Sequence, residues 1–177
     1  RLILRALILA LGLLLCVGQA SAANAYKFYD LDVENAPAVL AATDAFMKSE
    51  TGQRFKGALH LNTYLANGAS PATHAFVMLM PSMAAITAWE AEMAASSDGA
   101  SFFSSLRANG EGTGESMGSM LKVWGDTDDD DRVWMVTRFY TTTPLAVLAA
   151  QEKLMASPDM KNAPGQVHLN SVAVGNR

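Results

Sequence analysis

The 177-residue sequence predicts an α+β fold: an antiparallel sheet with helices on one face, assembled from three βαβ units. Three observations lead there. Runs with period-two alternation bracket Ala-rich helical stripes, in the order strand, helix, strand, three times over. The segment 38–68 returns at a constant offset as 146–176. Beyond an N-terminal apolar run the chain has no cysteine, so one hydrophobic core has to hold it together.

In the first unit KFYDLDV, residues 27–33, reads as a strand. Asn35 caps the following helix with Pro37 in its first turn, and Val39, Leu40, Phe46 and Met47 form the apolar stripe. GALHLN follows as the second strand. The middle unit, residues 73–126, opens with the strand HAFVMLMP; Ser82 then caps a helix carrying Met83, Ile86, Trp89 and Met93 on one side. A second helical stretch around Phe102, Phe103 and Leu106 precedes NGEGTGES. That stretch reads as a flexible loop, since no Lys-Ser/Thr pair follows to make it a phosphate loop. MLKVWG closes the unit as a strand. The third unit has VWMVTRFY, residues 133–140, as its first strand. Thr143 is the cap, Pro144 the first helical residue, and Val147, Leu148, Leu154 and Met155 the stripe. ANGASPAT and DTDDDD read as the turns between units.

The repeat aligns Ala38–Gly68 with Ala146–Asn176 without a gap, with 11 identities in 31 positions. Five are the run AVLAA. The others pair Met47 with Met155, Ser49 with Ser157, Gly57 with Gly165, and one His-Leu-Asn with the other. Identical spacing from helix to glycine to His-Leu-Asn marks a repeated supersecondary unit, spanning about 25–68 and 132–176. Residues 23–177 are read as one α+β domain of this construction.

Two βαβ units make a βαββαβ ferredoxin-like sandwich, and the third begins another without its partner. In element order, and in the GALHLN and GQVHLN segments, the chain resembles the dimeric α+β barrel superfamily, which includes antibiotic-biosynthesis monooxygenase-like proteins. The resemblance implies sheets packed face to face around a ligand space, within or between chains. It carries over no catalytic residue, because members of that superfamily use different ones.

Arg1 and Arg5 precede an apolar run from Ala6 to Val17 and the small-residue site Ala20-Ser21-Ala22. Residues 1–22 therefore read as a secretory signal peptide, which places the protein in the periplasm or outside the cell. The run is twelve residues, short of the ~20 a membrane span needs, and no membrane segment is expected after cleavage. Removing Arg1 and Arg5 leaves 11 basic against 17 acidic residues, a net charge of −6 without a basic cluster. Nucleic acid is excluded as a partner, since phosphate binding needs concentrated positive charge. A small-molecule ligand and a second copy of the chain remain as candidate partners.

Alternation along a strand puts His60 and Asn62 on one face with Tyr64, opposite Leu59 and Leu61; His168 and Asn170 share the corresponding face of the later copy. The leucines belong to the helical layer, so the His and Asn side chains face the helix-free side. There they either complete a hydrogen-bonded half-polar interior or converge on a pocket for a polar ligand. The offset also aligns Asp30 with Arg138 and Tyr26 with Trp134, so an acid and a base occupy equivalent places. They read as an interior ion pair or as ligand contacts, and Trp134 and Tyr64 as packing or substrate stacking.

No metal site is expected: His60, His74 and His168 lack close ligand spacing. In DTDDDD, Asp131 stands where a calcium loop needs glycine, which makes the stretch a solvated turn open at most to weak calcium binding. No G-x-S-x-G is present, and the ten methionines read as packing. The sequence implies no cofactor. The expected function is an exported small-ligand-binding or interaction protein; the alternative is a cofactor-independent monooxygenase-like or haem-binding enzyme with His60 or His168 as proton shuttle.

Overall fold

The computed structural model describes residues 24–125, 133, 135–161 and 165–175. The leader, the DTDDDD turn and Trp134 therefore lie outside the described residues. The fold is α+β, with one open five-stranded antiparallel sheet in the order β2-β3-β1-β4-β5. Its strands are β1 (Ala25–Val33), β2 (Ala58–Thr63), β3 (His74–Met80), β4 (Gly110–Trp124) and β5 (Val167–Gly175). The helices are α1 (Ala36–Lys48), α2 (Met83–Ala95), α3 (Ser97–Arg107), α4 (Pro144–Met155) and the single turn α5 (Pro158–Lys161). Among the described residues no helix is long and apolar enough to cross a membrane.

The first two units form as their residues dictate. Asn35 Oδ1 accepts from the Ala38 N–H and starts α1, and Ser82 Oγ accepts from the Ala85 N–H to start α2. Ser96 ends α2 and caps α3, taking the Gly99 N–H on its hydroxyl. Helices α1 to α3 cover one face of the sheet. There Val39, Phe46, Ile86, Trp89, Met93 and Phe102 meet Ala25, Phe76, Met78 and Met80 from the strands. Leu40, expected in the stripe, is turned outward and is 53% exposed. The opposite face carries a smaller cluster of Tyr26, Phe28, Ala75 and Val77, with Tyr64, Leu79 and Met120 against it.

Two sequence expectations are corrected. NGEGTGES is no flexible loop: Gly110 to Ser116 form the first half of β4 and pair with β1. The glycines explain both the misreading and the strand. A Cβ on Gly110 would sit 2.6 Å from the Asp32 carbonyl oxygen, so only a bare backbone approaches β1 this closely. The ladder also shifts register between Asp30 and Leu31, where Thr113 is the extra residue of a bulge. The second correction concerns VWMVTRFY, whose described residues 133 and 135–140 form no strand. A strand needs a ladder partner for its backbone, and β4 is already paired along both sides, by β1 and by β5. Among the described residues two complete βαβ units are present, and the third expected unit is not. The third supplies α4, which buries no residue, and the edge strand β5.

Phe46, 4% exposed and stacked on Phe102 at 4.8 Å between centroids, and Leu40 on the same helix test this layering. Phe46→Ala should cost about 3–5 kcal/mol in urea denaturation. Leu40→Ala should stay within about 0.5 kcal/mol.

Candidate functional site

Between the sheet and helices α1 to α3 lies a cavity of about 320 Å³. Its walls are mainly Phe46, Phe55, Phe76, Trp89, Met93 and Phe102. Rigid aromatic contacts frame it: Phe55 and Trp89 lie 5.1 Å apart, Phe46 and Trp89 6.2 Å. The few polar groups at its boundary include Tyr29, Glu90 and Arg107. A concave apolar space with few polar groups is the usual form of a small-molecule site, and this volume lies at the lower end of the ~300–1,000 Å³ range.

The polar corner is a network on the helix-side face of β1. Lys27 Nζ donates to Glu90 Oε1 at 2.5 Å and lies 3.2 Å from Glu115 Oε2. The Tyr29 hydroxyl donates to the same Glu90 oxygen, and the ammonium sits 4.7 Å from the Tyr29 ring centroid. Burial alone would lower the Lys27 pKa; the hydrogen bonds and charges of Glu90 and Glu115 outweigh it and hold the ammonium above its ordinary value. Burial, and then the Glu90 carboxylate, push the Tyr29 phenol far above its usual range. The corner therefore presents a protonated phenol and a carboxylate that already accepts two hydrogen bonds through one oxygen. Such a group can accept from a hydroxyl or amine on an otherwise apolar molecule.

The residues singled out in the sequence occupy the other face. His60 pairs with Val77 and Asn62 with Ala75, which places both on the helix-free side at the β2 edge. Asn170 pairs with Met120 and His168 with Val123 on β5, at the opposite edge. The register row of His60 runs through Val77, Phe28 and Ser116 to Gly175, seven residues beyond His168. At ~4.8 Å per strand and ~3.3 Å per residue, the two imidazoles are separated by about 19 Å across the sheet and about 23 Å along it. One chain does not bring the two His-Asn pairs together. His168 Nε2 lies 2.5 Å from Gln166 Oε1, and burial lowers its pKa.

Three of the named residues do converge. The Tyr64 hydroxyl donates to Asp30 Oδ1 at 2.6 Å, and Arg138 Nη1 lies 3.8 Å from Asp30 Oδ2 with its guanidinium 5.5 Å from the Phe28 ring. The acid and base aligned by the repeat thus meet as an ion pair over the helix-free face. Among the described residues no group of three or more His, Cys, Asp or Glu side chains is arranged to hold a metal ion.

Lys27, Tyr29, Glu90 and Glu115 were missed in the sequence, although a signal exists. Lys27 and Tyr29 alternate with Ala25, Leu31 and Val33 on the inward side of β1, and Glu90 falls four residues after Ile86 on the buried side of α2. No protein-family model matches this chain, and no curated protein matches it.

Burial first, and then the hydrogen bond and charge of Asp30, push the Tyr64 phenol up to about 12. The folded chain holds this proton more tightly than the unfolded chain. The associated stabilisation is therefore complete below the ordinary value of 10.0 and is lost as pH rises through about 12. In an ultraviolet phenolate titration Asp30→Asn should return Tyr64 part of the way toward 10.0, because burial remains.

Proposed function

We propose that the protein is an exported small-ligand-binding protein whose ligand occupies the cavity between the sheet and helices α1 to α3. The observation that carries this reading is the aromatic-walled space of about 320 Å³ ending on the Tyr29–Glu90 corner. Its ligand is mainly apolar and carries one hydroxyl or amine to meet Glu90, a half-buried carboxylate that can accept a further hydrogen bond at the cavity boundary. Export to the periplasm or beyond rests on the signal-peptide pattern of residues 1–22. The scaffold is read as ferredoxin-like: β1-α1-β2 and β3-α2-α3-β4 interleave in the order β2-β3-β1-β4, with β5 added at the end. The superfamily resemblance is consistent with a ligand space in such a scaffold. The cavity and its Tyr29–Glu90 corner support a site on the helical side of the sheet, in addition to the His-Asn face expected from the sequence.

An apolar fluorescent probe such as N-phenyl-1-naphthylamine tests the reading. The protein should enhance its emission, and Ala94→Trp, at an exposed position on the cavity wall, should weaken probe affinity at least about ten-fold without lowering the melting temperature. Absence of probe binding, or equal binding by the variant, would refute the site.

A further inference from the structure

Arg107 stands at one end of the cavity between the sheet and helices α1 to α3, and the Tyr29–Glu90 corner at the other. It is the last residue of α3 and is followed closely by Gly110, which pairs with Val33 at the end of β1. Glu90, by contrast, meets Lys27 and Tyr29. From Tyr29 to Val33 the strand advances by about 13 Å at ~3.3 Å per residue, and Leu31 and Gly112 border the cavity in between.

Of the described arginines, Arg54 is paired with Glu50 and Glu92, and Arg138 with Asp30. Among the described residues Arg107 has neither an ion pair nor a side-chain hydrogen bond. The acids of the adjoining strand ends, Asp32 and Glu111, pair in register on the helix-free side, because Leu31 and Val33 turn toward the helices. Arg107 and, one turn earlier, Phe103 are both exposed, so the cavity border reaches water here. A cation at a helix C-terminus suits the helix dipole; that accounts for its charge and not for its place on the cavity wall.

We propose that the ligand of this cavity is an apolar carboxylic acid of medium chain length. Its carboxylate lies on the Arg107 guanidinium at the open end, and its hydroxyl or amine points toward Glu90. This assignment rests on the cavity being the binding site. A guanidinium presents a planar fork of N–H donors that a carboxylate meets with both oxygens. The two ends of the cavity take opposite partners: Glu90 accepts from a donor, and Arg107 donates to an acceptor. That polarity sets one orientation for the chain, since the reverse would bring the ligand's carboxylate against Glu90 and Glu115.

Displacement of bound N-phenyl-1-naphthylamine by ω-hydroxydecanoic acid and by decane-α,ω-diol tests the assignment, because the two competitors differ only in whether one end is a carboxylate or an alcohol. At neutral pH and low salt the acid should bind at least about five-fold more tightly than the diol, the size expected of a charge pair open to water. High salt should shrink that preference. Arg107→Gln, a change at an exposed position, should abolish it with the melting temperature unchanged. Failure of the probe itself to bind would remove the cavity as the site, and this assignment with it. If the probe binds but acid and diol displace it equally, or the preference for the acid survives in Arg107→Gln, the cavity reading stands and the carboxylate assignment alone is overturned.

Discussion

The structure depends on β1 being paired along both edges. Each backbone N–H and C=O removed from water needs a partner, and β1 finds them on β3 from one side and β4 from the other over nearly its whole length. Everything that shapes the candidate site follows from that central position. The crossovers through α1 and through α2 and α3 fall on one face, and the cavity forms under them. Residues 135–140, which carry a strand-like sequence, form no strand and pair with neither side of β4, which β1 and β5 already occupy.

The second determinant is electrostatic. A buried ammonium on a strand that otherwise faces Ile86, Trp89 and Met93 is tolerated because two carboxylates pair with it and the face of the Tyr29 ring lies against it. The network couples three elements, β1, α2 and β4, through one side chain. Removing Glu90 alone would leave Lys27 half-paired and Tyr29 without its acceptor, so the fold and the polar corner of the cavity share one set of contacts. On the other face Asp30, Tyr64 and Arg138 do similar work at lower stakes, because Arg138 is half in water.

Much of the architecture was legible in the sequence, because it follows from local rules. Asn35 and Ser82 signalled their helix starts, and period-two alternation gave β1, β3 and the side of the sheet that His60 and Asn62 face. Propensity misled where tertiary context decides. The glycines of 110–114 are poor strand formers that nevertheless pair with β1, Gly110 by close approach of its backbone, whereas the described residues of the strand-like VWMVTRFY form no strand. The offset of 108 residues paired Asp30 with Arg138 correctly in space, yet suggested a symmetry that the sheet order breaks by sending the two His-Leu-Asn copies to opposite edges. The cavity was illegible because it is a space between elements. Sequence pattern reports which side chains turn inward, not how completely they fill what they enclose.

The bulged, glycine-rich start of β4 sets the shape of the cavity's rim. Gly110 and Gly112 border the cavity, and Gly112 also borders the shallow groove beside Tyr29 and Asp30. A Cβ on Gly112 would meet nothing within 4 Å, whereas one on Gly110 would strike the backbone of β1. Rim and scaffold are thus separable two residues apart: side-chain bulk at 112 would change the border of the cavity while leaving the backbone ladder with β1 as it is.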